Sequence, residues 1–473
     1  MDMSEPQKTG DIQLSGTSKG TAMLIAAMSS FLTPFTSSSV NIALPSIGKQ
    51  LSLDAISLGW VATAYLLAAA IFLVPFGRFS DIHGRKMVFR IGIIIDAIAS
   101  LLCAVSHTGI LLITFRALQG LGGAMIFGTG VAILTSVIPP KERGKALGIN
   151  VAATYTGLSV GPLAGGYFTQ VLGWQGIFFF NAFLGAVITA VALFKLKGEW
   201  ADARGEKFDL TGAIIYSLAL VTIMYAFSVF PALWAIWLVL GGIAGFVIFI
   251  RWEVRQEHPV LSIGLFKENA VFTFSNLAAM INYSATFAVS FLLSLYLQYV
   301  KGFTPSQAGL VLIAQPIMMA VFSPVAGNLS DRIQPRIVAS LGMAVTTVGL
   351  IMLIFVGGNV SLGFIIASLI ILGLGFAFFS SPNTNAVMGS VDRKFYGVAS
   401  GMLGTMRLVG QTFSMGLALL LFAVYMGSVK ITPESYPLFL KSMKTAFIIM
   451  AILCFGGIFA SIARGKTQPN RNS

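Results

Sequence analysis

Long runs without a single Asp, Glu, Lys or Arg occupy most of this chain of 473 residues. A helix that crosses a lipid bilayer needs about 20 mostly apolar residues, because each residue adds about 1.5 Å of rise. Six runs are long enough for one crossing each: 21–48, 55–77, 117–140, 269–300, 302–330 and 445–463. A chain that is 56% hydrophobic and 10% charged suits lipid as its solvent. The sequence therefore predicts an all-α integral membrane protein.

Three further runs are about twice as long, and each has a turn signal near its middle. They are 146–194 with Gly173-Trp174, 210–250 with Phe230-Pro231, and 337–391 with Gly357-Gly358-Asn359. Each of these runs predicts a helical hairpin. Two more predicted spans hold a charge well inside them, Asp96 in 87–115 and Arg407 in 397–425. The total is fourteen predicted transmembrane helices.

The basic residues are concentrated in every second loop between the predicted spans. A formal charge of +13 could indicate nucleic-acid binding, but these residues form neither one basic face nor one basic tail. By the positive-inside rule, the alternation places both termini in the cytoplasm, which requires an even number of spans. We therefore expect a multi-pass protein of the plasma (inner) membrane, with the lipid bilayer as its partner and no nucleic acid.

One segment that follows the second predicted span recurs later in the chain. Gly77-Arg-Phe-Ser-Asp81-Ile-His-Gly84-Arg85-Lys86 has a counterpart in Gly327-Asn-Leu-Ser-Asp331-Arg-Ile-Gln-Pro-Arg336, 250 residues further on. Two related six-helix bundles in a pseudo-two-fold arrangement are typical of carriers with a substrate site between the halves, although channels and membrane enzymes also contain duplications.

The repeat leaves two predicted helices, about 210–250, between the two bundles. The predicted organisation is a cytoplasmic N-terminal tail (1–20), an N-terminal six-helix bundle (21–197), cytoplasmic linkers with two additional transmembrane helices (198–269), a C-terminal six-helix bundle (270–464) and a cytoplasmic tail (465–473). We expect the additional pair to pack at the edge of the molecule, away from the transport path.

Four segments resemble the major facilitator superfamily. The segment 77–86 resembles the loop signature between its helices 2 and 3, and Arg116-Ala-Leu-Gln119-Gly120 resembles its helix 4 motif. The segment Gly157-Leu-Ser-Val-Gly161-Pro162-Leu-Ala-Gly165-Gly166 resembles the helix 5 motif of its antiporters. Ser39-Val-Asn41-Ile-Ala-Leu-Pro45 is similar to helix 1 of the fourteen-span drug:proton antiporter (multidrug efflux) branch. The resemblance covers nearly the whole chain and implies alternating access.

The resemblance implies that the loop signature is a conformational latch. In physical terms, Asp81 can pair with Arg85 or cap a helix N-terminus, whereas a loop that only sets topology would need no acid. The candidate latch residues are Gly77, Asp81, Gly84, Arg85, Lys86 and Asp331. In the helix 5 motif, small residues allow close helix packing and a proline bends the helix. The candidate packing and hinge residues are Gly157, Gly161, Pro162 and Gly165.

Two charged residues within predicted spans are candidates for proton coupling. A cation inside a membrane helix is costly unless it faces protein or water, so Arg116 should face the interior, and the resemblance implies a coupling role for it. The alternative is a structural donor to backbone carbonyls. Asp96 is the only carboxylate well inside a span. It would carry protons or, alternatively, pair with a neighbouring polar group.

Helix 1 departs from the resembled branch, in which an acidic residue commonly stands five positions before the asparagine. That position, counted back from Asn41, is Thr36. Organic cations favour a desolvated carboxylate, so the departure favours a neutral, amphipathic or anionic substrate. The candidate substrate-binding residues are Phe35, Asn41, Gln119, Asn282, Tyr283, Gln315, Asn383, Arg407 and Gln411. Individually, most of the polar members could instead be interhelical hydrogen bonders.

No motif in the sequence indicates an enzyme. It has no phosphate-binding glycine loop followed by Lys-Ser/Thr, and it has only three histidines and two cysteines, so we expect no cofactor and no metal. We expect a monomeric carrier that exports an amphipathic small molecule in exchange for protons. Three alternatives remain open: a facilitator or importer of an organic anion, a lipid or lysolipid transporter, and a non-transporting membrane scaffold or sensor.

Overall fold

The computed structural model describes residues 17–139, 142–257, 259–261, 264, 266, 269–391 and 396–465. Within these ranges the chain is helical and contains no β-strand. The first half consists of six helices: α1 (Lys19–Gln50), α2 (Ala55–His83), α3 (Arg85–Ala104), α4 (Gly109–Val137), α5 (Arg143–Val171) and α6 (Gln175–Lys195). Side chains of Ser18, Asp54 and Thr108 cap the starts of α1, α2 and α4 by accepting backbone hydrogen bonds.

Two helices follow as a hairpin, α7 (Leu210–Val229) and α8 (Trp234–Glu253). The second half then begins, and its helices are α9 (Ala270–Thr286), α10 (Ala288–Leu295), α11 (Pro305–Leu312), α12 (Ala314–Arg332), α13 (Pro335–Ile354), α14 (Leu362–Gly389), α15 (Tyr396–Tyr425) and α16 (Tyr436–Ala463). The turn signals at 173–174, 230–231 and 357–359 lie between helices, as predicted.

Two predicted spans of the second half are broken by one residue each. The span 270–300 consists of α9, α10 and a π-helical turn, Tyr296–Val300, and the span 305–332 consists of α11 and α12. The second break, at Ile313, comes three residues before Pro316. Proline cannot donate the backbone hydrogen bond to the residue four positions earlier, so the helix is weakened at this point.

Thirteen helical segments of the described chain are long and apolar enough to cross a membrane. The fourteenth predicted span, α5, is a helix of 29 residues outside that set, because polar residues such as Arg143, Asn150 and Thr154 lower its hydropathy. It nevertheless packs along α1, which is itself a candidate span. The count of fourteen thus remains a prediction that depends on α5.

The helix ends form two opposite faces of the molecule. The linker face carries the segment 197–209 together with the ends of α2 and α6, and there Lys197 N donates to Thr17 Oγ1 (2.7 Å). The far face carries the turns 51–54, 172–174 and 426–432, and there Trp174 Nε1 donates to Gln50 Oε1 (2.7 Å).

The two halves meet at the far face. Ser294 Oγ donates to the carbonyl of Asn41 (2.7 Å), and Gln298 Nε2 donates to that of Ile42 (2.9 Å). Ala55 N also donates to the carbonyl of Val429 (3.2 Å). These bonds close the far face in this conformation. Each acceptor is a backbone carbonyl, so the contacts need no particular side chain on the accepting segment.

The α7–α8 hairpin contacts both halves. Tyr216 Oη donates to the carbonyl of Ala70 in α2 (3.0 Å), and Met224 and Phe227 pack against Gly416 in α15. One buried apolar cluster combines residues of α2, α7, α8 and α15. The helix α7 therefore fills the seam between α2 and α15, while most of α8 is exposed on the outside.

Candidate functional site

The loop between α2 and α3 holds a compact ion pair at the linker face. Asp81 accepts from Arg85 Nε (2.9 Å) and Nη2 (2.7 Å), and Arg85 Nη1 donates to Ser136 Oγ on α4 (2.7 Å). Gly84 turns the chain between the two helices with φ of 123°, a conformation that side chains with a Cβ rarely adopt. The structure thus contains the Asp81–Arg85 pair that the sequence predicts as one of two options.

The linker after α6 binds the same loop, which the sequence analysis did not anticipate. Asp202 makes a second ion pair with Arg85 (2.7 Å), and Glu206 pairs with Arg78. Glu199 Oε1 accepts from the backbone of Lys86 (2.7 Å), which caps the start of α3. The only sequence signal was the run of acidic residues in an otherwise basic linker.

The counterpart loop in the second half is built differently. Asp331 is exposed and takes part in none of the ion pairs among the described residues. Its neighbour Ser330 instead accepts from Asn385 Nδ2 on α14 (2.7 Å). Of the other candidate latch residues, Gly77 has open space where a Cβ would stand, and Lys86 contributes its backbone. Of the two repeated loops, only the first has an ion-paired aspartate among the described residues.

Asp81 should matter more than Asp202 for the integrity of this loop. The Arg85 side chain is 11% exposed and forms ion pairs with both acids. The Asp202 side chain is 71% exposed, whereas that of Asp81 is 33% exposed. Exposed ion pairs contribute about 0–1 kcal/mol. We therefore expect Asp202→Asn to leave the melting temperature nearly unchanged and Asp81→Asn to lower it, as measured by thermal unfolding in detergent. Equal shifts in the two variants would contradict this ranking.

Arg116 lies buried between α2, α3 and α4 in the first half. Its Nε donates to the carbonyl of Val61 (3.1 Å), its Nη1 donates to Gln119 Oε1 (2.5 Å), and its guanidinium lies 4.5 Å from the ring centre of Tyr65. Gln119 Nε2 in turn donates to Ser100 Oγ (2.8 Å). The cation faces protein, as expected for a membrane-embedded arginine.

Asp96 lies on α3 one turn before Ser100 and extends the same polar cluster. The Ser100 hydroxyl donates to the Asp96 carbonyl (2.8 Å), and the carboxylate oxygen Oδ2 is buried without a hydrogen-bond partner. The residues Gly92 and Gly122 allow α3 and α4 to approach closely at this level. A carboxylate in such a place can gain or lose a proton without breaking a hydrogen bond of Oδ2.

The small residues of α5 pack against both halves. Gly157, Gly161 and Gly165 lie against α1, where a Cβ on Gly165 would approach Ser39 to 2.7 Å. The carbonyl of Pro162 lies directly against Gly309 on α11, so close that a Cβ on Gly309 would overlap it. These residues therefore pack closely; the hinge role, which was predicted together with the packing, remains a proposal.

Arg407 and Tyr283 lie together where the second half faces α4 and α5. Arg407 Nη2 donates to Thr384 Oγ1 (2.8 Å), and its guanidinium lies 5.7 Å from the Tyr283 ring centre. Tyr283 packs edge-on against Phe376 with ring centres 5.2 Å apart. From the first half, Tyr155 Oη donates to Ser380 Oγ (3.4 Å). Tyr155, Thr384 and Phe376 were not among the predicted site residues.

The other candidate substrate residues do not join this group. Phe35 is fully buried in the first half and packs against Phe180 of α6, while Gln119 belongs to the Arg116 cluster. Asn41 contributes its carbonyl to the far-face contact, and Gln411 is half-buried on α15.

Three of the candidate substrate-binding amides are buried and retain unpaired atoms. The side-chain nitrogen and oxygen of Asn282 have no hydrogen-bond partner, and Gln315 Oε1 is also unpaired. Asn383 Nδ2 donates to the carbonyl of Ser275 (3.1 Å), which leaves its Oδ1 without a partner. Buried polar groups of this kind normally bind water or a ligand. In α1, by contrast, Thr36 is satisfied, since its hydroxyl donates to the Leu32 carbonyl (2.8 Å).

An all-helical bundle of apolar spans with buried polar clusters is the architecture of a polytopic membrane transporter, and the family match and transporter neighbours indicate a transporter rather than an enzyme. The family model of the Major Facilitator Superfamily matches residues 26–252 and 276–473, so the chain belongs to that superfamily. Its members act on small-molecule substrates in the lipid bilayer and are typically monomeric.

Curated relatives and solved structures agree with this assignment. The chain is 28% identical over 452 residues to the riboflavin transporter RibZ of Clostridioides difficile, which covers 94% of this chain and 97% of the relative. It is 29% identical to the multidrug resistance protein Stp of Mycobacterium tuberculosis, over 79% of this chain and 70% of the relative. A bacterial homologue of the human lysosomal transporter Spinster, in an inward-facing and unoccupied conformation, has the same fold, with a TM-score of 0.68 at 15% identity over 94% of this chain and 97% of that chain.

Proposed function

We propose that this protein is a secondary active transporter that exports an amphipathic small molecule by alternating access in exchange for protons. We assign it to the fourteen-span drug:proton antiporter branch. The observation that carries the proposal is the pair of buried polar clusters: an acid and a cation within the first half, around Asp96 and Arg116, and a separate aromatic and cationic group between the halves, around Arg407. One cluster can bind protons while the other binds substrate.

The proposed orientation follows from the charges. The loops of the linker face carry Arg78, Arg85, Lys86 and Lys197, so we place this face in the cytoplasm by the positive-inside rule. The far face, where the halves meet, is then closed, and the present conformation faces inward. Export would require the halves to close at the linker face and to separate at the far face, as in rocker-switch carriers.

The relatives support an organic substrate without fixing its charge. One is named as a transporter of riboflavin, a neutral aromatic vitamin, and another as a multidrug resistance protein. The buried threonine at position 36, where the resembled branch has an acid, favours neutral or anionic compounds over cations. The names of these relatives do not give a direction of transport, so the direction must be measured.

A flux assay tests both the energy source and the direction. The purified full chain is reconstituted into liposomes, and transport of riboflavin and of a cationic dye is followed by fluorescence with and without an imposed pH gradient. We expect gradient-dependent flux of riboflavin that a protonophore abolishes, and weaker flux of the dye. Flux that ignores the gradient would rule out proton exchange, and flux along the proton gradient would favour import.

Asp96→Asn is expected to reduce gradient-driven flux at least about tenfold while leaving thermal stability unchanged or raised. The amide keeps the size of the carboxylate but cannot bind or release a proton, and a neutral group at this buried position has a lower desolvation cost. The matched control is Glu142→Gln, the same charge change at an exposed surface pair with Lys19. Unchanged flux in Asp96→Asn would remove this residue from the coupling mechanism.

A further inference from the structure

The space beside Arg407 is formed by residues of both halves. Three residues before it on α15, Gly404 lies against Phe127 of α4, and Tyr155 of α5 reaches α14 through Ser380. Although these helices pack together, Phe127, Tyr283 and Arg407 are each only partly buried. The accessible surface of these three side chains, to which both halves contribute, is called the opening here.

Close packing between α9 and α15 fixes the position of the arginine in this opening. A Cβ on Gly410 would come within 2.9 Å of Tyr283 Cβ, so the two helices are almost in backbone contact one turn from Arg407. The guanidinium is held from a second direction by Thr384. Because the backbones and the Thr384 hydroxyl set its place, the cation is oriented before any ligand arrives, which reduces the entropy lost on binding.

The charge of Arg407 is not neutralised by the described protein. None of the four ion pairs among the described residues includes it, and its buried Nε atom has no hydrogen-bond partner. A guanidinium in an apolar bundle without an acid is unfavourable unless water or an anion completes its bonds. Arg116 is different, since its Nε and Nη1 are bonded to Val61 and Gln119.

We propose that this opening binds planar aromatic compounds that carry an acidic group, with the acidic oxygen bonded to Arg407 and the ring system packed against Tyr283 and Phe127. Planar acids are matched by the two features present, because the guanidinium forms charge-assisted bonds to carboxylate or similar oxygens and aromatic side chains pack on flat rings. This inference names the substrate class for the transport function proposed above and rests on it.

A matched pair of ligands separates the contribution of the charge to binding affinity from that of the ring system. Anthraquinone-2-carboxylate and anthraquinone-2-carboxamide share one planar tricycle and differ in the charge of the substituent. Binding of each to the detergent-solubilised full chain is measured by equilibrium dialysis. We expect the carboxylate to bind at least about tenfold more tightly than the carboxamide, a ratio typical of one hydrogen bond between charged groups. Equal affinities, or no binding of either compound, would overturn the proposal.

Variants assign the preference to the named residues. Arg407→Gln should remove the preference for the carboxylate and leave carboxamide binding within about twofold, while Arg407→Lys should keep part of it. Tyr283→Leu should weaken both ligands equally. The control is Arg90→Gln, which removes a positive charge that donates only to carbonyls at the end of α6. A preference that survives Arg407→Gln, in protein whose carboxamide binding proves that it is folded, would refute the assignment.

These binding results are independent of proton coupling. A carboxylate preference that depends on Arg407, combined with flux that ignores the pH gradient, would keep the ligand site and reject proton exchange. Gradient-driven riboflavin flux without a carboxylate preference would keep the transport function and reject the acidic substrate class.

Discussion

Replacing Gly309 by leucine is expected to abolish transport by preventing the two halves from meeting at the far face. The backbone of Gly309 lies against the carbonyl of Pro162, and even a Cβ would overlap it. Since both contacting groups are backbone atoms, no side-chain rotation can relieve the overlap, and the helices α5 and α11 must separate. Flux in proteoliposomes should fall to background.

The accompanying conformational change can be measured directly. A cysteine placed at Ser306, next to the contact on α11, should react faster with a membrane-impermeant maleimide in the Gly309→Leu background. The matched control is Gly363→Leu on α14, because a Cβ at Gly363 meets open space. Transport at the parental level in Gly309→Leu would show that this contact does not need to form during the cycle.

Arg116→Gln is expected to reduce transport by about ten- to hundredfold. The substitution removes the donor to the Val61 carbonyl. It also interrupts the chain of hydrogen bonds that runs from Arg116 through Gln119 to Ser100. Hydrogen bonds to charged groups contribute about 1.5–3 kcal/mol, which corresponds to that range in rate. Arg116→Lys should not restore function, because an ammonium cannot reproduce the forked geometry of the guanidinium.

The decisive comparison is between activity and stability. Arg90→Gln also removes an arginine that donates to helix carbonyls, but it lies at the linker face, away from the Asp96 cluster. We expect Arg90→Gln to lower the melting temperature with little loss of flux per folded molecule. For Arg116→Gln, flux should fall further than stability. A loss of stability alone in Arg116→Gln would leave this residue with the structural role that was its alternative interpretation.

The helices were largely predictable because the bilayer imposes a simple rule on the sequence. Apolar length defines a span, and the glycine and proline signals at 173–174, 230–231 and 357–359 mark the hairpins. The break at Ile313 could also have been inferred from Pro316. The boundary between α9 and α10 at Phe287 has no such signal, because the flanking residues are ordinary helix formers or β-branched residues common in membrane helices.

The candidate site was harder to predict because it depends on which helix faces meet. Sequence alone identified Arg116, Asp96 and Arg407 through their charge, because a charged side chain in a membrane span is costly and usually serves a function. It could not tell that Phe35 points toward α6, or that Tyr155 would reach the second half. The linker acids were missed for a similar reason: Glu199 and Lys86 are 113 positions apart, and only tertiary structure brings them together.

The hairpin of α7 and α8 also determines from which direction a substrate can approach. A lipid-soluble compound could in principle enter a two-bundle carrier sideways, through either of the seams between its halves. One seam, between α2 and α15, is filled by Leu220 and Met224 of α7 as part of a continuous apolar cluster. Lateral entry from the bilayer is then possible only through the other seam, beside α5, α11 and α12. A lipid-like cargo would have to pass Pro162 and Gly309 there. A water-soluble cargo would instead enter through the linker face.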